Sequence, residues 1–149
     1  MMVKPPEKTQ APLHERTDQE FLAITLGGSL LALSSGMLNA STVASDRHLS
    51  SQPMTGTSTM LGISIAEGDS AVFGDKIGIL LFHILGAAVS GFLVPHHTFY
   101  MGSDYGRLLK ISLLVLTGAF FISKFTPDNI FWYYLVAFAG GVQNAMTSK

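Results

Sequence analysis

Three polar side chains that could do chemistry stand inside long uncharged stretches of the sequence: Asn39, His83 and Asn144. Histidine exchanges a proton near neutral pH, so His83 could serve as a proton relay within a membrane. The alternative is a neutral imidazole that is hydrogen-bonded to a neighbouring Ser or Thr. The two amides also need partners away from water, so they either clamp helices together or line a shared polar site.

Three further residues extend this candidate polar site. Gln143 directly precedes Asn144, and Thr55-Gly56 lies in a segment rich in serine, threonine and glycine. Gly56 has no Cβ, so its backbone could approach a substrate or ion closely. The candidate polar site predicted from the sequence therefore comprises Asn39, Thr55, Gly56, His83, Gln143 and Asn144.

The sequence offers little support for catalysis. The chain has no cysteine, and neither a serine-nucleophile motif nor the phosphate-binding pattern G-x-x-x-x-G-K-[ST] occurs in it. His96 and His97 are adjacent, with Asp104 as the nearby carboxylate, and this is not the spacing of a metal site. The net charge of -1 gives no indication of nucleic-acid binding. We therefore expect no enzyme activity, no metal, no cofactor and no nucleic-acid partner.

Charge and hydropathy indicate which elements position these residues. Charged residues make up 13% of the chain, against about 25% in soluble domains. Residues 1–20 hold seven of the nineteen charged residues and three of the six prolines, which predicts a polar, disordered tail. The mean hydropathy of the whole chain is +0.38. We expect residues 21–149 to form one transmembrane domain in the lipid bilayer.

The expected fold class is all-α, a polytopic transmembrane bundle of about four helices. Uncharged apolar runs of about 18 residues or more are long enough to cross a bilayer as helices. Lysine stems can reach the membrane interface, so the run between Lys110 and Lys124 extends to a full span. The predicted spans are about 21–45, 77–94, 108–125 and 130–148.

The segment 49–66 has two interpretations. It is uncharged, but it contains seven Ser or Thr residues together with Pro53, Gly56 and Gly62, which makes a poor lipid-facing helix. It is either a re-entrant or broken segment covered by protein or a water-filled cavity, or a solvated loop with a short helix. Glu67 to Lys76 is expected to be a hydrophilic joint before the second span.

Small residues recur at intervals of four in the first span: Gly28, Ala32, Gly36 and Ala40. Such stripes let helix backbones approach closely, within one chain or between copies that self-associate. The stretch from Ala32 to Thr42 also matches the stretch 105 residues later at five of eleven positions. Because the two stretches lie in the first and the fourth predicted span, the second would enter the membrane in the opposite sense, as in transporters with inverted repeats.

The chain contains GMLNA at 36–40, MTGT at 54–57 and GVQNA at 141–145. Together these motifs resemble the YoaK-like bacterial integral membrane proteins, a family of unknown function, over about residues 21–149. The resemblance implies a bacterial inner-membrane location. Many members have Asp at the position of Asn39 and Asn at the position of Thr57. A role that needs an acidic group at position 39 therefore does not carry over to this chain. Members usually continue past the third motif, so the resemblance also implies a C-terminally truncated chain.

Lysine and arginine counts favour a cytoplasmic N-terminus. With four spans, the side that carries the N-terminal tail holds six of these residues and the opposite side holds three. The function that the sequence favours is a permease-like protein for a small polar solute of unknown identity. The alternatives are a non-transporting membrane scaffold or interaction protein, and a non-functional truncated fragment.

Overall fold

The computed structural model describes residues 18–45, 49–51, 54–93 and 103–147. Within these ranges every regular element is an α-helix, which confirms the all-α fold class. The helices are α1 (Asp18–Val43), α2 (Met54–Glu67), α3 (Ser70–Leu93), α4 (Ser103–Phe125) and α5 (Phe131–Thr147). The predicted tail, 1–20, falls outside the described residues except for its last three positions, which form the start of α1.

Local sequence explains the tight turn between α2 and α3. Gly68 has a φ of 72°, a left-handed conformation that glycine adopts without steric cost. The N–H groups of Gly68 and Asp69 donate to the carbonyls of Ile65 and Ser64, which satisfies the open end of α2. The Asp69 carboxylate then accepts the N–H of Val72 at 3.1 Å and caps α3. The chain therefore reverses within two residues, and α2 folds back along α3.

Helices α3, α4 and α5 form the core of the molecule. Gly78 contacts Tyr134 and Gly86 contacts Phe138, so residue numbers rise together and α3 and α5 run parallel. Helix α4 returns in the opposite direction, with Leu108 buried against Val142 of α5. A second buried cluster at the amino end of α5 comprises Leu49, Ile79, Tyr133 and Ala137.

The backbones of α3 and α5 touch at two glycines. A Cβ atom added at Gly86 would overlap the carbonyl oxygen of Phe138, and one added at Gly141 would overlap the carbonyl oxygen of His83. Glycine at both points allows Cα–H groups to approach carbonyl oxygens, a contact that recurs between close-packed helices. Small residues of α3 and α5 thus meet each other.

Helix α1 lies mostly outside this core. Its large apolar side chains are exposed, with Leu22 at 67% and Met37 at 64%. It is held near its end, where Thr42 and Ser51 share a hydrogen bond of 3.0 Å and Ser45 bonds the hydroxyl of Tyr133. Such an apolar surface matches that of a helix surrounded by lipid.

Within the described residues, three helices are long and apolar enough to cross a membrane: Phe21–Val43, Val72–Leu93 and Tyr105–Phe125. Helix α5 has 17 described residues, about 25 Å at 1.5 Å per residue, somewhat less than the hydrocarbon thickness of about 30 Å. A fourth span therefore stays a prediction. Helix α2, with 14 residues, is too short to cross alone, and its entry into the membrane also stays a prediction.

The prediction that residues 67–76 form a hydrophilic joint is wrong for residues 70–76, which belong to helix α3. Helix α3 begins at Ser70, seven residues before the predicted start of the second span, and Lys76 within it is only 5% exposed. Its ammonium group donates to the carbonyl oxygen of Met60 at 3.0 Å and to the hydroxyl of Ser64 at 2.7 Å. Because α2 folds back along α3, it supplies acceptors that cannot be foreseen from the charge pattern alone.

Candidate functional site

His83 lies on the face of α3 that packs against α5, and it is 8% exposed. This burial places His83 inside the bundle. Its Nδ1 atom lies 3.1 Å from the carbonyl oxygen of Ala137. A carbonyl can only accept, so Nδ1 carries the proton and donates it. In the neutral ring Nε2 is then an acceptor, and the amide nitrogen of Asn144 lies 3.4 Å from it.

The glycine contacts of the two helices explain why His83 reaches α5. Gly141 lies against the carbonyl of His83 itself, so the α3 backbone comes within van der Waals distance of α5. Ala137 is fully buried one turn earlier and adds only a methyl group. The imidazole therefore reaches a backbone carbonyl of α5, which would be too far away if larger side chains separated the helices.

Gln143 points to a different helix from its neighbour Asn144. Its amide nitrogen donates to the hydroxyl of Ser112 in α4 at 3.0 Å, and Ser112 is only 1% exposed. Ser112 is a functional candidate that the sequence interpretation missed. In the sequence, Ser112 is a single serine within an apolar run. Such serines are too common for this one to be singled out.

Ser90 adds a further buried hydroxyl on α3. It lies seven residues, or two helical turns, beyond His83 and therefore on the same face. It is 1% exposed, and its oxygen has no hydrogen-bond partner among the described residues. Burying a hydroxyl without a partner costs about 1–3 kcal/mol. We use the name polar track for the polar residues His83, Ser90, Ser112, Gln143 and Asn144 of α3, α4 and α5; the first three are buried, Gln143 is half-buried and Asn144 is exposed.

A second polar group surrounds the end of α1. The Ser50 hydroxyl donates to the side-chain oxygen of Asn39 at 3.0 Å, and the Ser50 carbonyl accepts the hydroxyl of Thr57 at 2.8 Å. Gly56 lies close to Ser50 as well, since a Cβ atom there would be 3.2 Å from its hydroxyl oxygen. Gly56 thus permits a close approach of Ser50 of the same chain. Its approach to a substrate or ion stays a prediction.

The described contacts therefore divide the predicted site into two groups. Asn39 and Gly56 belong to the group around Ser50, while His83, Gln143 and Asn144 belong to the polar track. Thr55 is exposed, and its described hydrogen bond is within α2, where its carbonyl accepts the Thr59 hydroxyl at 2.9 Å. A common site for all six residues stays a prediction.

No group of three or more metal-ligating side chains occurs in the part of the chain that the structure describes. The adjacent histidines 96 and 97 lie outside it. The groups that the polar track offers are amides, hydroxyls and one imidazole, which suit hydrogen bonding to an uncharged polar molecule or the transfer of a proton.

Five described helices, three of which could cross a membrane, define an all-helical protein of the membrane type. The chain belongs to the family described as "Protein of unknown function (DUF1275)", which matches residues 27–149. Nothing matches it among curated proteins or among solved structures. The resemblance to a membrane family of unknown function is thus confirmed at the level of the family. The YoaK-like assignment and the truncation stay predictions.

Proposed function

We propose that this chain is a non-enzymatic, permease-like membrane protein that takes a small, uncharged polar solute at the polar track. The observation that carries the proposal is the buried Ser90 hydroxyl, which has no partner among the described residues and lies on the same face of α3 as the buried imidazole that contacts the Asn144 amide. Polar groups within membrane helices are costly and usually serve a ligand or ion pathway. The contact between the imidazole and the Asn144 amide is long, at 3.4 Å, so a solute could replace it.

The neutral tautomer of His83 supports the same proposal. Because Nδ1–H is committed to Ala137, the side available to a solute is Nε2, an acceptor that faces the Asn144 amide. A donor and an acceptor side by side match the hydrogen-bonding edge of a small amide, a urea-like molecule or a polyol. A charged solute would find no described counter-charge in the polar track.

The test is an osmotic swelling assay with purified full-length chain in liposomes. We expect faster swelling than in protein-free liposomes for at least one of urea, glycerol and acetamide. His83→Ala and Asn144→Leu should each reduce that rate at equal protein content. Thr117→Ala is the matched control, because Thr117 is exposed on α4 and bonds the Leu113 carbonyl of its own helix. Rates equal to those of protein-free liposomes, or variants that swell like the control, would contradict the proposal.

A non-transporting scaffold remains the second candidate, and the exposure of α1 favours it. A Cβ atom added at Gly28 or Gly36 would meet nothing within 4 Å, so the small-residue stripe of α1 is open to another helix. In that case His83→Ala would lower the amount of folded protein in the membrane without changing any solute flux. The swelling rate per folded molecule separates the two functions.

We further propose a location in the bacterial inner membrane with a cytoplasmic N-terminus, in which α5 serves as a fourth span. Helix α1 ends where α5 begins, since Ser45 bonds Tyr133, as an inverted pair of repeats requires. The absence of cysteine permits a clean labelling test with single cysteines. Thr126→Cys should react with a membrane-impermeant maleimide in intact cells, and Gln19→Cys only after permeabilisation. The reverse pattern would overturn the orientation.

A further inference from the structure

The buried face of α3 is polar, although the helix is long and apolar enough to cross a membrane. Among the side chains of α3 that the structure describes, the buried residues are Lys76, Ile79, His83, Gly86 and Ser90. Intervals of three and four residues place all five along one side of the helix. The polar members recur every seven residues, and we name Lys76, His83 and Ser90 the α3 polar stripe.

The opposite face of α3 is apolar and exposed. Leu81, Ile84 and Leu85 are each more than half exposed, and Phe92 is 88% exposed. This arrangement is the reverse of a helix in a water-soluble protein, whose apolar side faces the core. Polar side chains that a membrane helix turns toward the interior of its bundle are typical of the lining of a solute or ion pathway.

Helix α2 adds hydroxyl groups beside the α3 polar stripe. Its buried residues are Thr57 and Ser64, which are again seven residues apart. The Ser64 hydroxyl accepts a hydrogen bond from the Lys76 ammonium group at 2.7 Å. Because α2 folds back along α3, seven residues back along α2 correspond to seven residues forward along α3, so Thr57 lies at about the level of His83. The side of α2 that is buried thus presents hydroxyl groups and no large apolar side chain.

The α3 polar stripe extends over most of the thickness of a membrane. Ser90 lies 14 residues beyond Lys76, about 21 Å at 1.5 Å per residue, against a hydrocarbon thickness of about 30 Å. Both ends retain hydrogen-bonding capacity. The Lys76 ammonium group has three N–H donors but two described acceptors, and the Ser90 hydroxyl has no described partner. Water or a polar solute would supply the missing hydrogen bonds.

We propose that the α3 polar stripe is a hydrated line along which the solute crosses the membrane, from Lys76 past His83 to Ser90. The proposal rests on the proposed function for the solute, and it adds the route and the helices that line it. Helix α2 lies beside the line at Lys76, and α5 lies beside it at His83. Water replaces the hydrogen bonds between α2 and Lys76 at little cost. The positive charge of Lys76 makes the line unfavourable for cations, in keeping with an uncharged solute.

The test uses single-cysteine variants, because the chain has no cysteine of its own. The full-length chain in liposomes is treated with an anionic, membrane-impermeant methanethiosulfonate that is present on both sides of the bilayer. Ser90→Cys replaces an oxygen by a sulfur atom and changes the packing little. We expect it to be labelled at least about tenfold faster than the controls, because only a thiolate reacts and apolar surroundings suppress its formation.

Two controls separate contact with water from exposure and from depth. Ala88→Cys is two residues from Ser90 at nearly the same depth, but on the exposed face of α3, where lipid should protect it. Ala119→Cys in α4 is 2% exposed and therefore almost as buried as Ser90, but it lies on a different helix, where packing should protect it. Slow labelling of both is expected.

Ser64→Cys reports on the other end of the line. Its thiol would lie beside the Lys76 ammonium group, since the Ser64 oxygen is 2.7 Å from it. It should therefore react at least about threefold faster with the anionic methanethiosulfonate than with a cationic one. Lys76→Met in the same variant should abolish that preference. Thr57→Cys is a second reporter on α2 and should also be labelled faster than both controls.

Faster labelling of Ser90→Cys and of the α2 reporters than of both controls supports the hydrated line. Labelling of Ser90→Cys no faster than Ala88→Cys or Ala119→Cys would overturn it. Labelling at one end alone would also overturn it, because the line would not be continuous. A charge preference that persists after Lys76→Met would remove Lys76 from the line. The swelling assay fails separately: labelling without swelling contradicts the proposed function, whereas swelling without labelling contradicts the route alone.

Discussion

Gly86 of α3 and Gly141 of α5 are reciprocal contact points, because each lies against a backbone carbonyl of the other helix, Phe138 and His83 respectively. This pair sets the separation of the two helices. The separation in turn determines whether the His83 imidazole reaches the Ala137 carbonyl and the Asn144 amide. Packing and the candidate site thus depend on the same two glycines.

Gly86→Ala and Gly141→Ala should each destabilise the protein strongly. The added methyl group would overlap a backbone carbonyl, which cannot move aside as a flexible side chain can, and overpacking of this kind costs about 1–3 kcal/mol or more. Thermal unfolding in detergent measures the effect.

Gly28→Ala and Gly36→Ala are the matched controls, since nothing lies within 4 Å of the added Cβ at either position. We expect them to be neutral or slightly stabilising, because alanine is favoured over glycine in helices. A Gly141→Ala variant as stable as Gly36→Ala would contradict the close contact between α3 and α5.

Gly68→Ala and Gly74→Ala should have opposite effects on stability. Gly68 has a φ of 72°, and a side chain there costs about 1–2 kcal/mol. Gly74 lies inside α3 with open space around it, so alanine should gain up to about 1 kcal/mol. Denaturant unfolding of both variants gives the sign. Equal shifts in the same direction would show that the α2–α3 turn does not depend on a left-handed residue.

Lys76→Met and Lys76→Glu should differ in their effect on α2. Methionine fills a similar space and removes a buried charge that has no described carboxylate partner, a change that is often neutral or stabilising. Glutamate would place an acceptor against the Met60 carbonyl and the Ser64 hydroxyl, where the lysine now donates. Hydrogen exchange of the α2 amides should be unchanged in the first variant and faster in the second. Equal exchange rates in both would contradict the contact.

A double-mutant cycle of His83→Ala and Asn144→Ala should give a small coupling energy. The two side chains are 3.4 Å apart, and hydrogen bonds between membrane helices average about 0.6 kcal/mol. His83→Ala alone should cost about 1–3 kcal/mol, because it leaves the buried Ala137 carbonyl without the imidazole donor. Unfolding free energies of the four proteins measure both values. A coupling above about 2 kcal/mol would indicate a structural clamp rather than an exchangeable contact.

The local features of this fold depend on short stretches of the sequence. Uncharged runs predict the long helices. Gly68 and Asp69 form the α2–α3 turn. The Asn129 side chain accepts the N–H of Phe131 at the start of α5. These features depend on backbone preferences and on hydropathy, which act over a few neighbouring residues. The orientation of His83 toward the bundle follows from the periodicity of the α-helix.

The tertiary structure alone decides which helices meet. Gly36 and Gly141 occupy equivalent positions of the proposed repeat, yet Gly141 is pressed against α3 whereas nothing lies within 4 Å of a Cβ at Gly36. Likewise Gln143 finds Ser112, and Asn39 finds Ser50. Similar motifs have similar local preferences. Their partners, however, depend on the rotation and depth at which whole helices pack, and these are set by contacts between residues far apart in the chain.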